Sequence, residues 1–508
     1  MKPMPLTPRI LVALAVSMLA AAARADVKLP AIFGDRMVLQ RDQKVPVWGW
    51  ADEGEKVSVE FAGQRVEAVA KGGKWSVSLA ALKASGTGAK FTVTGKNRVE
   101  FNDVLVGEVW FCSGQSNMEW SIRQSKDAAA EIAAANNPLI RHFKVPHVTA
   151  DKPQDEVKTT GGWQLTTPEH APGFTAVGYF FGRAIHKELG VPIGLIGCNW
   201  GGTRIEPWTP PVGFQSVPAL KENFADKLAS FPAKNPAKTK DGKDVLDKEG
   251  KPVMNISSSS PLSIYNAMVH PVIPYGIRGA LWYQGESNNG EGMLYFEKMK
   301  ALIGGWRALW KQGDFPFYYV QLAPFRYNNP ERLPGIWEAQ TAALSIPNTG
   351  MAVTTDITTP LDIHPPNKQE VGRRLALWAL AKTYNKPVGA YASPLFDTLK
   401  VEGGKARVAF KNADGGLKSR DGKPLSWFTV AGEDKKFVEA KAEISGNAVV
   451  VSAEGVARPV AVRFGWHELA EPNLSNGAGL PASPFRTDKW ADAVMPAPSA
   501  LPAAPAKK

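Results

Sequence analysis

Between residues 27 and 106 short runs alternate apolar and polar positions, as in Val57-Ser-Val-Glu-Phe61 and Lys74-Trp-Ser-Val-Ser-Leu79, with Gly, Asn and Asp between them. Period-two alternation puts one side of each run in a core and the other in water, which predicts an all-β module. Past residue 106 the rhythm changes. β-Branched or aromatic runs at 107–112, 193–198, 277–283, 315–322 and 350–355 predict five strands. Segments 175–189, 292–310 and 366–381 carry apolar residues at three- and four-residue spacing and predict helices, the last opening on prolines suited to a first turn. Strands alternating with helices are the pattern of a parallel sheet covered by helices. Alternation returns from 387 to 465, as in Lys405-Ala-Arg-Val-Ala-Phe410, and predicts a second β module. The expected organisation is an N-terminal β module at 26–105, an α/β domain at 106–386, a C-terminal β module at 387–492 and a disordered tail at 493–508.

Length agrees with several domains, because 508 residues exceed the roughly 250 that one core organises. The first residues change the picture of where the chain works. Lys2 and Arg9 precede an apolar run from Ile10 to Ala23, and Ala23-Arg24-Ala25 has the small-x-small form that signal peptidase cuts. A signal peptide at 1–25 is expected, with a mature chain from about Asp26, exported to the periplasm or outside the cell. The run falls short of the ~20 apolar residues of a spanning helix, so no membrane span is expected. The net charge of +12 is spread thinly outside the lysine-rich stretch from Lys234 to Lys251, which reads as a solvated loop face. No basic array interleaved with aromatics points to nucleic acid. Two cysteines, Cys112 and Cys198, exclude a disulfide scaffold; they form either one disulfide or, the favoured reading, two buried thiols on adjacent strands.

In an open parallel sheet, ligands bind beyond the carboxyl ends of the strands. The polar clusters fall there: Ser113-Gly-Gln-Ser-Asn-Met118, Asn199-Trp-Gly-Gly-Thr-Arg204, Gln284-Gly-Glu-Ser-Asn288 and Asp362-Ile-His364. Acyl transfer needs a hydroxyl nucleophile, a base, a carboxylate that orients the base, and donors aimed at the oxyanion. Ser116 follows Gly114 in a strand-to-helix turn and is the candidate nucleophile, with its own N–H directed into the site. Gly201 and Gly202 offer backbone N–H groups, and Asn117, Gln284 and Asn288 offer side-chain amides. Met118 stands where the Gly-x-Ser-x-Gly elbow has its last glycine, so an α/β-hydrolase is not indicated. Of seven histidines, His364 alone sits at a strand end beside a carboxylate, which makes it the candidate base. His142, His147, His170, His186 and His467 lack that setting, and His270 precedes Pro271 in a packing segment. No histidines stand at metal-ligand spacing, so neither a metal nor any other cofactor is expected.

The runs Gly107-Glu-Val-Trp-Phe-Cys-Ser-Gly-Gln-Ser-Asn-Met-Glu-Trp120, Trp282-Tyr-Gln-Gly-Glu-Ser-Asn288 and Asp362-Ile-His-Pro365 resemble the sialate O-acetylesterase family, within the wider group of SGNH hydrolases. Similarity extends from Leu29 to Trp490 and includes Met37-Val-Leu-Gln40 and Pro481-Ala-Ser-Pro-Phe-Arg486. The resemblance implies a three-layer α/β/α catalytic domain with accessory all-β modules, hydrolysing acetyl esters on sugars without a metal. It implies Ser116 as nucleophile, His364 with Asp362 as base and partner, and Gly201, Gly202 and Gln284 at the oxyanion. Many SGNH enzymes place two residues between the acid and the histidine; only Ile363 intervenes here, so Glu286 is a rival for the acid.

The leading functional reading is an exported carbohydrate O-acetylesterase acting on acetylated sialic acid or on acetylated plant cell-wall polysaccharide such as xyloglucan. The competing reading is a carbohydrate-binding protein with a vestigial site, in which Trp120, Trp200 and Trp208 beside the motif loops stack on sugars or are simply buried. The intact Ser, His and acid set favours the enzyme. No long apolar acyl-binding stretch flanks the motifs, which argues against a lipase or peptidase.

Overall fold

The computed structural model describes residues 26–159, 161–224, 232, 234–491 and 495. The expected signal peptide, and the tail from 493 apart from Met495, lie outside the described residues.

The central sheet runs in the order Thr349–Ala352, Phe317–Val320, Gly279–Tyr283, Arg98–Gly114, Ile193–Asn199, Asn137–Lys144, Trp163–Thr166. The first six strands pair in parallel and the last is antiparallel. Every residue of Ile193–Asn199 is buried, as a strand covered on both faces requires. Neighbouring residues of the central strand show the two covers. Trp110 packs on Phe181 of the helix Ala176–Leu189, while Phe111 packs on Trp306 and Trp310 of the helix Leu294–Trp310. Successive side chains of a strand point to opposite faces, so these helices lie on opposite sides and the domain is a three-layer α/β/α sandwich.

The central strand also does what its sequence did not reveal. Arg98–Gly114 is one 17-residue strand. Its first part pairs antiparallel with Ser85–Thr94 of the N-terminal module, and its second part pairs with the parallel sheet from Glu108 onward. The boundary expected at 105/106 therefore falls inside a continuous strand, and module and sheet share one hydrophobic core. Buried Glu108 joins them further, accepting from Arg41 Nε at 2.5 Å and from Arg278 Nε at 2.6 Å.

The C-terminal module packs two four-stranded sheets around a separate core that includes Val408, Phe410, Val430, Val449 and Phe464. It docks through Arg486, which pairs with Glu338 at 2.8 Å, and Ser483, which accepts from Gln321 Nε2 at 2.9 Å.

The strands Asn137–Lys144 and Trp163–Thr166 and the helix Arg332–Ala342 were not predicted. The predicted helix at 366–381 spans Lys368–Trp378 before a π-turn. Cys112 and Cys198 are free, buried thiols on neighbouring strands, as favoured, and burial pushes both pKa values up. The lysine-rich stretch forms an exposed ribbon in which Lys234–Pro236 pairs with Met254–Ile256, and Lys238 is neutralised by Asp244 at 2.5 Å. Among the described residues no helix is long and apolar enough to cross a membrane.

Candidate active site

Parallel strands of unequal length end together on one edge, and four of their loops meet there. The strand Arg98–Gly114 turns at Gly114, whose φ is +138° and where an added Cβ would lie 2.2 Å from the Tyr283 carbonyl. Only glycine fits this crossing. Ser116 opens the short helix Ser116–Glu119 directly after it. The Asp362–His364 loop comes from the far side, and His364 Nε2 stands 2.8 Å from Ser116 Oγ.

Asp362 Oδ1 accepts from the His364 backbone N–H at 2.9 Å and lies 3.7 Å from His364 Nδ1. That separation is ion-pair range rather than a closed hydrogen bond, and catalytic contacts are commonly loose without substrate. The His364 ring stacks on Trp120, centroids 4.5 Å apart and 15° from parallel. Burial first, and then the positive charge of Lys368, lower the His364 pKa, while Asp362 opposes them.

Glu286 is placed differently. It is buried, and its Oε1 accepts from Asn117 Nδ2 at 2.6 Å, not from a histidine. Burial raises its pKa, and its Oε2 has no hydrogen-bond partner among the described residues. Asn117 also donates to the Ile363 carbonyl at 2.9 Å and accepts from Lys368 Nζ at 2.5 Å. The residue next to the serine thus grips the residue next to the histidine. Lys368 is itself fully buried, with its ammonium 5.2 Å from the Tyr283 ring centroid, and burial pulls its pKa down to about 7. Sequence reasoning missed Lys368, since a lysine in the first turn of an amphipathic helix reads as solvent-facing.

The expected side-chain oxyanion donors are not free. Gln284 Nε2 donates to the Thr203 carbonyl at 3.2 Å and to Asn288 Oδ1 at 2.7 Å. Asn288 Nδ2 donates to Glu206 at 3.0 Å and to Glu291 at 3.2 Å. A primary amide has two N–H bonds, and each of these is fully used. The same count holds for Asn117, whose amide serves Glu286 and Ile363. Gln284 and Asn288 belong instead to a buried network in which Lys298 bridges Glu206 at 2.6 Å and Glu291 at 2.7 Å. This network ties the 199–206 loop to the 284–291 loop.

Gly201 lies against the nucleophile loop, with an ideal Cβ only 3.2 Å from Ser116 Cβ, but its N–H donates to Glu119 Oε2 at 2.7 Å. His147 holds the other oxygen of Glu119 at 3.1 Å and stacks on Trp200. Burial works against the Glu119 charge, but the hydrogen bonds from His147 and Gly201 outweigh it and lower its pKa. The backbone N–H groups of Ser116 and Gly202 have no partner among the described residues. Trp208 is fully buried, so it is not a sugar platform. Among the described residues no three His, Cys, Asp or Glu side chains converge as a metal site would require.

A Ser–His pair at the carboxyl edge of a three-layer α/β/α sheet, with main-chain donors beside it, defines the class: an α/β/α hydrolase equipped for acyl transfer. Comparison with known proteins narrows this. The family model for carbohydrate esterases described as sialic acid-specific acetylesterases matches residues 106–229 and 255–381. The sialate O-acetylesterase of Homo sapiens is 32% identical over 404 residues, covering 72% of this chain and 72% of that protein. That of Rattus norvegicus is 30% identical over 408 residues, covering 71% and 74%. A carbohydrate acetylesterase from Xanthomonas citri has a similar structure, with a TM-score of 0.80 and 37% identity over 92% of this chain and 100% of that one. The chain belongs to the sialate O-acetylesterase family and is a carbohydrate O-acetylesterase whose substrate is an acetylated carbohydrate.

Proposed function

We propose that the chain is an exported serine esterase that removes O-acetyl groups from sialic acid or from a plant cell-wall polysaccharide such as xyloglucan through an acyl-enzyme. The observation that carries this reading is the 2.8 Å approach of Ser116 Oγ to His364 Nε2. His364 takes the hydroxyl proton as Ser116 Oγ attacks the acetyl carbonyl, and Asp362 stabilises the resulting imidazolium from the Nδ1 side. The oxyanion is met by the free N–H groups of Ser116 and Gly202, which replace the side-chain amides as donors. Gly201 adds its N–H when Glu119 releases it. His364 returns the proton to the departing sugar oxygen, leaving acetyl-Ser116. Water, activated by the same imidazole, then releases acetate. Asn117, Glu286 and Lys368 do no proton transfer; they hold the serine and histidine loops in register. Export is supported by the leader-like first 25 residues.

Acetate release from O-acetylated sialic acid, acetylated xyloglucan and acetylated xylan, measured side by side, tests the reading and identifies the glycan. A p-nitrophenyl ester series should favour acetyl far above butyryl. No acetate from any glycan, together with ester hydrolysis unaffected by Ser116→Ala, would sink it.

A further inference from the structure

Outside the active site, two hollows of about 440 Å³ and 510 Å³ lie on the N-terminal module and its seam with the catalytic domain, and Trp50 lines both. The one of about 440 Å³ is walled by Trp48, Trp50, Val69, Lys71, Lys74 and Ser76 from the module and by Gln154, Asp155, His270, Pro271, Ile273 and Pro274 from the catalytic domain. The one of about 510 Å³ is lined by Phe33, Phe101 and Glu156 as well as Trp50.

The strand sequence explains why a tryptophan is partly exposed here. In Val45–Trp50, residues 48 and 50 share the half-buried face while Val47 and Gly49 point inward. Their cross-strand partners on that face are Ser76 and Lys74, one small and one flexible, and both tryptophans are only half-buried. Trp48 is braced edge-on by Phe33 at 4.8 Å, and buried Trp75 donates its indole N–H to the Trp50 carbonyl at 3.2 Å. Among the described residues the Trp50 ring pairs with no other aromatic ring and is not among those packed on the core, although its backbone is pinned by paired hydrogen bonds to Lys28 at 2.9 Å. A pinned backbone carrying a partly exposed indole offers a stacking platform. Around it stand Lys71, Ser76, Gln154 and the Lys74–Asp155 pair at 2.6 Å, polar groups of both signs. Mixed charge suits hydroxyls better than an acidic polymer, and two neighbouring hollows that share Trp50 as a wall suit an extended chain better than a compact ligand.

We propose that this groove is a second, non-catalytic glycan-binding site that takes a neutral polysaccharide chain by stacking a sugar ring on Trp50. It rests on the reading of the enzyme as one acting on polymeric glycan. The groove borders Pro274, ahead of the strand Gly279–Tyr283, whereas the reacting groups lie beyond the other end of that strand. A strand of this length spans about 16 Å, so the site anchors a part of the polymer remote from the acetyl being removed and raises its local concentration.

The test uses the mature chain carrying Ser116→Ala, with and without Trp50→Ala, in affinity electrophoresis through gels containing xyloglucan, xylan or glucomannan. At least one polymer should retard the Ser116→Ala protein, and Trp50→Ala should weaken that retardation fivefold or more. Trp50→Phe should recover most of it. In the active enzyme, Trp50→Ala should leave p-nitrophenyl acetate hydrolysis within twofold while slowing acetate release from the polymer severalfold. If Trp50→Ala fails to fold, Val69→Asp, at a position 51% exposed, carries the test with the same expectation. Absence of retardation by all three polymers, or equal retardation with and without Trp50, overturns the site. Persistence of ester hydrolysis in Ser116→Ala would instead overturn the esterase reading and leave the retardation result to judge the groove by itself.

Discussion

The two loops that face Ser116 are built in opposite ways. The Asp362–His364 loop is open: the Asp362 side chain is 57% exposed and that of His364 24%, and the two meet only at 3.7 Å. The 284–291 loop is closed at Gln284 and Asn288, which are at most 1% exposed and have both side-chain amide protons committed. Both loops follow strands of one sheet and both carry residue types suited to acyl transfer. The contrast teaches that composition does not assign a role; free valence does. The groups proposed to move protons sit where partners can change, whereas the amides of Asn117, Gln284 and Asn288 sit where their N–H bonds are already taken.

The largest expected effect is on the open side. Ser116→Ala should abolish acetate release, with a loss on the order of 10^6 in kcat, while circular dichroism and thermal unfolding stay unchanged. Retention of a few per cent of activity would remove Ser116 from its role. Next comes the choice of acid. Asp362→Asn should cost up to ~10^4 by favouring the wrong imidazole tautomer. Glu286→Gln should cost less than about tenfold, because a neutral amide can still accept from Asn117. If Glu286→Gln proves the more damaging, the open loop is not the source of the acid and the comparison fails.

On the closed side the expected loss is one of stability. Gln284→Ala strands Thr203, Asn288 and Tyr295, each of which it now bonds, and should lower unfolding free energy by ~1–3 kcal/mol in a urea titration. A fall in kcat of ~10^2 to 10^3 at unchanged stability would instead return Gln284 to the oxyanion. The smallest effect is a shift in pH profile. Burial and Lys368 hold the His364 pKa below 6.5, so the neutral base persists below that pH, and kcat/KM should fall only as pH drops through the lowered value. Lys368→Met removes a positive charge, which lets the His364 pKa rise. The acidic limb should therefore move to higher pH, and an unmoved limb would show that the lysine does not act on the histidine.

Much of the layout was legible. Continuous apolar runs marked the strands Ile193–Asn199 and Gly279–Tyr283, because a strand covered on both faces must be apolar throughout. Topology then placed the Ser116 and His364 loops on one edge, since parallel strands send their carboxyl ends the same way. The strand Asn137–Lys144 was missed: Pro138 and the charges of Arg141 and Lys144 break its pattern, and Arg141 is buried only because it finds Asp103.

Sequence by itself determined the fold class, the family and the set of loops that meet at the Ser116–His364 pair, because periodicity and motif are local or nearly so. Which member of each loop is free to react was decided only by tertiary structure. Asn117 meets Glu286 across 169 positions and Lys368 across 251, and Gln284 meets Thr203 across 81. Whether an amide is a donor in waiting or a strut depends on how many of its hydrogen bonds are already taken, and that count exists only once the chain has folded.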